Sequence, residues 1–555
     1  MSAAKIVLSG EDSLQVQFEQ EICPEVNRQV TRFAQLFAQF SKDIPEIKEI
    51  VPTYCAVTVY FDDENIQSQL VKKIAEEVLD RLSEDKENSS AESKTIKIPV
   101  CYEDKDFAPD LVNVIEHAGL TEKQVIELHS SKPYLIYMMG FLPGFPYLGG
   151  MDAKLETPRL KTPRTKIPAG SVAIGGKQTG LYSVESPGGW QIIGRTPLKV
   201  FDLNRNPTFV YKAGDKIQFV PVTKEEYDHF DENQWLKENG FLETGSSVSS
   251  IYNTQDKNRF ACGSGIEIID GGFNTTVQDD GIKGFQKYGI GQSGVMDKIS
   301  FDLANRICGN AENKPCLETT LGGPEIRFTL PCDFAITGAV LKNATLNNVP
   351  IQMNKKIHAE KNAVLKCGFA TKGLHSYIAF TGGILLPPVF GSCSTNLKSK
   401  MGGLCGRKLC AKDQLAIGYV NEKPAEVNAG TKELNPFFTE QKELLELECV
   451  KSSQSDLFTT DAVNKFSAQV YTVAPDSDRM GIRFSGESLN CGSTDIISDA
   501  IPFGSVQITS SGLPVVMAAD RQTTGGYAKI ACVTKKSMCV LAQAVPGTKV
   551  KFKFI

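Results

Sequence analysis

No G-x-x-x-x-G-K-[ST] run occurs in this sequence, so a phosphate loop of that type is excluded and any nucleotide is held another way. G-x-S-x-G and H-E-x-x-H are absent as well. Histidine is scarce. His117, His129, His229, His358 and His375 are the full set of 5, and no two stand at metal-ligand spacing. A zinc or hydrolytic-triad mechanism therefore has no local support. No apolar run reaches the length of a bilayer span. The first residues, MSAAKIVLSGEDSLQVQF, lack the charged-then-apolar order of a secretory signal. A net charge of −5 over 555 residues provides no field to attract nucleic acid or anionic membrane. These absences predict a cytoplasmic protein with neither nucleic acid nor membrane as partner.

Cysteine, in contrast, is plentiful. The 15 residues are odd in number and irregularly spaced, which predicts reduced thiols rather than a disulfide framework. Cys405 and Cys410 lie close together, but no second pair completes a zinc site. The 47 glycines suit a turn-rich β protein, and the length implies two to four domains.

Residues 1–83 alternate strand and helix patterns. Leu14–Phe18 and Tyr54–Tyr60 read as strands. Asn27–Phe40 and Ile66–Leu82 carry apolar residues at helical spacing. This predicts a small α+β (α/β) unit. Ser83–Lys94 is a polar linker. Residues 95–239 open on a strand, pass two short helices (the second begun by a capping-box-like Thr121-x-x-Gln124), and continue as strands. Residues 240–264, Ser/Gly-rich and without periodicity, form the strongest boundary. Beyond it, short β segments broken by glycine predict two β-barrel halves, 265–420 and 452–555, separated by a charged patch at Asn421–Lys451. A faint internal echo links GSVAI at 170–174, followed by Gly188-Gly189-Trp190, with GSVQI at 504–508, followed by Gly525-Gly526-Tyr527.

The stretch Gly140–Pro197 is the richest in candidate chemistry. Arg159, Lys161, Arg164 and Lys166 alternate with Pro and Thr. On an extended chain they share a face that either binds carboxylate or phosphate, or blunts a strand edge. His129 precedes this stretch and is a candidate acid or base, or a helix-terminal structural residue. Gln178, Thr179, Gly188 and Gly189, with Glu185 and Ser186, offer donors and close backbone approach. Trp190 is either core or a stacking platform. In the second half, the run GIKGFQKYGIGQSGVMD ends at Asp297 and resembles an anion-cradling loop opening a helix. Arg479, Arg483 and Asp520-Arg521, with Thr524 and Gly525, form a second polar set, or structural ion pairs.

GFLPGFPYLGGMD, TPRLKTPRTKIPAGSVAIGGKQTGLY and SPGGWQIIGRTP resemble the signature of the 5-oxoprolinase B subunit, the KipI or allophanate hydrolase subunit 1 family. TTVQDDGIKGFQKYGIGQSGVMD, LETTLGGPEI, FTGGILLPPVFGSCST, DRMGIRFSG and ADRQTTGGYAKIACV resemble the 5-oxoprolinase C subunit, the KipA or allophanate hydrolase subunit 2 family. Both are similar to the carboxyltransferase region of urea carboxylase. The resemblance implies a B–C fusion with cyclophilin-like barrels, a mainly β architecture with a small α+β domain in front. It further implies ATP- and Mg²⁺-dependent opening of 5-oxo-L-proline to L-glutamate with a separate 5-oxoprolinase A subunit. Self-association into a homo-oligomer is compatible with it. Under that reading His129, Arg164, Asp297 and Asp520 are the catalytic candidates. Arg159, Lys166, Gln178, Thr179, Gly188, Gly189, Arg479, Arg483, Arg521, Thr524 and Gly525 are the binding candidates. Three departures remove positive charge where the C-type pattern usually has it: Ile282, Cys393 and the His375-Ser376 pair before Tyr377. A biotin-dependent carboxyltransferase and a Kip-like kinase-binding regulator are the competing readings. The first lacks a biotinyl-lysine context and an ATP-grasp region in this chain.

Overall fold

The computed structural model describes residues 4–84, 93–241, 265–418, 434–440, 443–492 and 494–555. Most of the expected linkers at 83–94 and 240–264 and much of the charged patch fall outside these residues, while Ser83 and Glu84 end the helix Ser68–Glu84.

Four antiparallel strands in the order Lys5–Leu8, Ser13–Gln17, Ala56–Phe61, Ile47–Pro52 form the N-terminal sheet. The alternation in AVTVYF sends Val57, Val59 and Phe61 to one face. There they meet Val30, Phe33 and Phe37 of the helix Pro24–Phe40 and Val71, Ile74 and Val78 of the helix Ser68–Glu84. The same apolar cluster runs on into Tyr137, Tyr147 and Trp190, so this unit packs directly on the barrel that follows.

Two closed seven-stranded barrels dominate the rest. In each, the first strand lies parallel to the last: Thr95–Cys101 beside Lys216–Val222, and Leu444–Lys451 beside Lys549–Phe554. All other neighbours are antiparallel and follow the same order in both barrels. Each barrel also projects a two-stranded ribbon, Arg164–Ile167 with Ser186–Gly188 in the first and Asp495–Ala500 with Thr524–Tyr527 in the second. The GSV strands Ser171–Gly175 and Ser505–Ile508 occupy equivalent places. The echo in the sequence is thus a repeated barrel.

Two expectations change. The second barrel begins at Leu444, inside the stretch read as a charged patch. Glu446 and Glu448 alternate with Leu445, Leu447 and Cys449, which are buried against Val550 and Phe552. The charge there is one face of a strand. The segment 265–417 is not a barrel. It is a seven-stranded and a five-stranded sheet face to face over one core, including Ile266, Ile268, Phe328, Phe334, Ile378 and Phe380. The helix Lys298–Cys308 covers the five-stranded sheet. Among the described residues no helix is long and apolar enough to cross a membrane.

Candidate functional site

The Gly140–Pro197 stretch supplies strands of the first barrel and a tightly packed aromatic group. Phe145 meets Tyr147, Tyr182 and Trp190 edge-on, with centroids 5.1, 5.4 and 5.7 Å apart. The indole lies flat over Gly175, where a Cβ would come within 2.5 Å of the ring. Trp190 is therefore core on one side. On the other, the exposed Arg159 guanidinium sits 5.8 Å from the ring centroid, a cation–π arrangement.

The four basic residues do not act as one face. Arg164 forms a bidentate pair with the buried Asp110, at 2.8 and 2.7 Å, and Asp110 also accepts from the Ile192 N–H at 2.7 Å. This is a structural clamp between the helix Leu111–Ala118 and the barrel, which removes Arg164 as a free binding group. Lys166 pairs with Glu185 at 2.8 Å, and Glu185 also meets Lys400 of the two-sheet unit at 3.6 Å. Among the described residues, Arg159 and Lys161 have no carboxylate within ion-pair distance.

His129 is wholly buried inside the first barrel and stacked on Phe219 at 4.8 Å. Its Nδ1 lies 2.8 Å from Tyr102 Oη and its Nε2 2.8 Å from Thr179 Oγ1. Thr179 donates onward to the Ala173 carbonyl at 3.2 Å, which makes Nε2 the protonated nitrogen. Burial pushes the imidazole down to about 3, so it stays neutral. An acid–base role does not fit this position, and Thr179 serves the same internal network. Gln178 points outward and donates to Tyr54 of the N-terminal unit. Gly188 lets Tyr182 approach, since a Cβ there would lie 2.5 Å from the phenol oxygen. Gly189 faces Pro163 in ordinary contact.

In the second half most candidates are also structural. Asp297 caps the helix Lys298–Cys308. It accepts from Ser300 N at 3.1 Å, Ser300 Oγ at 2.6 Å, Asn435 at 2.8 Å and Gln543 at 2.7 Å. Its burial raises its pKa. Asp520 holds Arg479 through two contacts of 3.0 Å, and Arg479 also donates to Glu318 and to the Gly294 carbonyl. Glu318 accepts in addition from Met296 N and Tyr377 Oη, each at 2.8 Å. This buried Glu–Arg–Asp group joins the two-sheet unit to the second barrel. Arg483 is an exposed partner of Asp476 at 3.4 Å. Asp110 and Glu318 escape a reading of the sequence because each lies far along the chain from the arginine it holds.

The charge-removing departures fall on packed positions. Ile282 is buried with Ile290 and Met401. The Cys393 N–H donates to Asp279 at 2.6 Å, and its Sγ faces the Leu386 carbonyl at 3.4 Å. His375 is buried 4.0 Å from Glu318.

The glycine-rich run at 281–292 is a strap rather than an open cradle. The Ile282, Gly289 and Ile290 N–H groups donate within the run itself. Its Tyr288 forms a parallel bridge with Met139, accepts from Gly144 N at 2.8 Å and stacks on Phe209 at 5.2 Å. Its Gln292 accepts from Arg521 at 2.7 Å, and its Gln286 donates to Glu49 at 3.1 Å. At the same junction the Phe141 N–H donates to Thr524 Oγ1 at 3.1 Å. Gly140 permits this contact, because a Cβ would sit 2.3 Å from Thr524 Oγ1. Gly525 lies against Ile501 and Gln507. The loop that opens the Gly140–Pro197 stretch therefore meets the ribbon of the second barrel, and Arg159, Tyr182 and Tyr147 lie beside that meeting point. A free guanidinium over an aromatic floor, with phenol and threonine hydroxyls near it, can hold a small anion.

Comparison with known proteins agrees with this two-part construction. The family model "Carboxyltransferase domain, subdomain C and D" matches residues 4–211, and "Carboxyltransferase domain, subdomain A and B" matches residues 288–554. The N-terminal part is 41% identical over 221 residues to the B subunit of 5-oxoprolinase from Escherichia coli O157:H7, covering 40% of this chain and 97% of that protein. The C-terminal part is 34% identical over 291 residues to the C subunit of 5-oxoprolinase from Haemophilus influenzae, covering 52% of this chain and 91% of that one. Urea amidolyase of Lachancea kluyveri is 31% identical over 305 residues, but these span only 17% of it. A crystal structure of TTHA0988 superposes with TM-score 0.80 at 26% identity, covering 98% of this chain and 99% of that one. The chain belongs to the carboxyltransferase-domain family, as a single-chain fusion of one part related to the 5-oxoprolinase B subunit with another related to the C subunit.

Proposed function

We propose that the protein is the fused B–C component of an ATP-dependent 5-oxoprolinase, opening the lactam of 5-oxo-L-proline to L-glutamate with a separate A subunit in the cytoplasm. The observation that carries this reading is the interlock of the halves. A B-type and a C-type part, each nearly complete against its relative, meet where the start of the Gly140–Pro197 stretch touches the second barrel's ribbon at Phe141–Thr524 and the glycine-rich strap at Met139–Tyr288.

A lactam resists water until its oxygen is phosphorylated, after which the ring carbon is electrophilic. In this chain Arg159, free of any carboxylate partner, would hold the substrate carboxylate or the transferred phosphate, with Tyr182 and Trp190 excluding water beneath it. ATP and Mg²⁺ belong to the proposal. Among the described residues no three His, Cys, Asp or Glu side chains group together, and the Ile282, Tyr288, Gly289 and Ile290 N–H groups of the glycine-rich run donate within it. Nucleotide and metal would be held with the A subunit.

The test mixes the purified protein with a homologue of the A subunit, ATP, Mg²⁺ and 5-oxoproline, and measures glutamate and ADP. Their stoichiometric release is expected. Folded components that release neither overturn the reading. Transfer from a biotin carboxylase and carrier to urea would instead support the carboxyltransferase alternative.

A further inference from the structure

A cavity of about 400 Å³ opens between the end of the strand Cys332–Leu341, the helix Lys298–Cys308, the loop 351–354 and the segment 434–438. None of its lining residues belongs to the Arg159 surface. Irregular pairing marks the place. The strand slips register against Ala370–Phe380 twice, between Gly338 and Val340 and again between Val340 and Leu341. A bulge bends its strand and interrupts the ladder, and all three of these residues line the cavity.

The segment 434–438 is anchored where it meets the cavity. Asn435 donates to Asp297 and to the Cys539 carbonyl, each at 2.8 Å, and accepts from the Phe437 N–H at 3.0 Å. The Phe438 ring lies against Gly373, where a Cβ would come within 2.9 Å of it, and the Phe438 carbonyl accepts from Lys372 Nζ at 3.3 Å. The wall that Phe438 forms is therefore part of the packed fold.

The lining is mainly apolar: Leu303, Val340, Leu341, Ile351, Met353 and Phe438. Hydrocarbon walls around an open cleft favour a ligand with an apolar body, and the volume is in the range of small-molecule sites, roughly 300–1,000 Å³. Polar lining side chains are largely spent elsewhere. Ser300 Oγ donates to Asp297 at 2.6 Å, as Asn435 does, and the Met353 sulfur accepts from the Leu341 N–H at 3.2 Å. Lys342 is different. It lines the cavity, is exposed, and has no carboxylate within ion-pair distance among the described residues. Lys355 adjoins the lining residue Asn354, and Lys372 holds Phe438. Between Leu341 and Gly373 the sequence has Glu360 as its one acid, against six lysines, Lys342, Lys355, Lys356, Lys361, Lys366 and Lys372. The field at this cavity favours an anion, and the single ammonium in its lining matches a single negative charge.

We propose that this cavity binds a medium-chain monocarboxylate, its head paired with Lys342 and its hydrocarbon body lying among Leu303, Val340, Met353 and Phe438. The site is independent of the lactam-opening reading.

The test is calorimetric titration of the full chain with sodium butanoate, hexanoate and octanoate, and with octylammonium chloride. Saturable binding of octanoate is expected, with affinity rising about two- to fourfold per added methylene along the series. Octylammonium should bind at least tenfold more weakly than octanoate. Lys342→Met should weaken octanoate about three- to tenfold, Val340→Trp should abolish its binding by filling the cavity, and Lys123→Met, on a distant helix, should leave it unchanged. Melting curves establish that the variants fold. Should Val340→Trp not fold, a crystal soaked with 8-bromooctanoate takes its place, with the bromine expected among the apolar lining residues. The proposal is overturned by the absence of saturable binding, by affinity indifferent to chain length, by octylammonium binding as tightly as octanoate, by wild-type affinity in either folded cavity variant, or by bromine found only elsewhere. The titration uses neither the A subunit nor ATP. Its failure leaves the lactam-opening reaction standing, and failure of that reaction leaves this site standing.

Discussion

Arg479→Met removes the one cation from a group in which Glu318 and Asp520 side chains are only 2% and 3% exposed. Four donor contacts disappear: two to Asp520, one to Glu318 and one to the Gly294 carbonyl. Two buried carboxylates then face each other without a counter-charge. Breaking a buried ion pair in this way costs about 3–5 kcal/mol, which corresponds to a melting shift of roughly 6–20 °C for the C-terminal half. The sign of the pH effect follows. In the native protein Arg479 holds Glu318 below its usual range despite burial, whereas burial leaves Asp520 raised. Without Arg479 both carboxyls are pushed up. A carboxyl raised in the folded state binds more protons there than in the unfolded chain, so its penalty grows as pH rises above the unfolded value. The variant's deficit should therefore be smaller at pH 5 than at pH 7.5. Urea denaturation and thermal melting at both pH values measure it. The neutral combination Glu318→Gln, Arg479→Met, Asp520→Asn should recover much of the loss. A deficit under about 1 kcal/mol, or one that grows towards pH 5, refutes the reasoning.

Arg159→Ala should lower turnover in the reconstituted reaction by roughly 10- to 100-fold, the loss of one charge-assisted hydrogen bond, with an unchanged melt. Unaltered turnover removes Arg159 from the site. Arg164→Ala leaves Asp110 buried and unpaired, so it should cost stability, about 1–3 kcal/mol by denaturation after discounting for the arginine's partial exposure. Gly140→Ala should destabilise the joint by about 1–3 kcal/mol, and Thr524→Ala, which removes the clashing atoms, should partly rescue it; strictly additive effects would contradict the contact. His129, depressed to about 3 from 6.5, binds a proton more readily when unfolded. Its contribution is intact above pH 6.5 and lost as pH falls towards 3, about 2 kcal/mol by pH 5. Comparing the pH dependence of stability in wild type and His129→Gln isolates it, and identical slopes would be the adverse result.

Local sequence dictates the elements of this protein and their repetition. Periodicity of 3.6 in the first two helices, alternation in AVTVYF and the Thr121–Gln124 capping box are local properties, and each formed as expected. So did the duplicated GSV strand, because a repeated barrel needs the same turn chemistry twice. The strand Leu444–Lys451 was hidden only because its outward residues are charged. Which polar residues are free is settled by the folded arrangement and by nothing short of it. Arg159 and Arg164 look alike in TPRLKTPRTK, yet one lies over Trp190 and the other is held by Asp110. Arg479 and Asp520 look like a site until Glu318, 161 residues away, closes them into a buried joint. Lys529 looks like an ordinary strand residue until the fold buries it beside Asp499. Charge compensation and burial act between segments distant along the chain, so no local pattern encodes them.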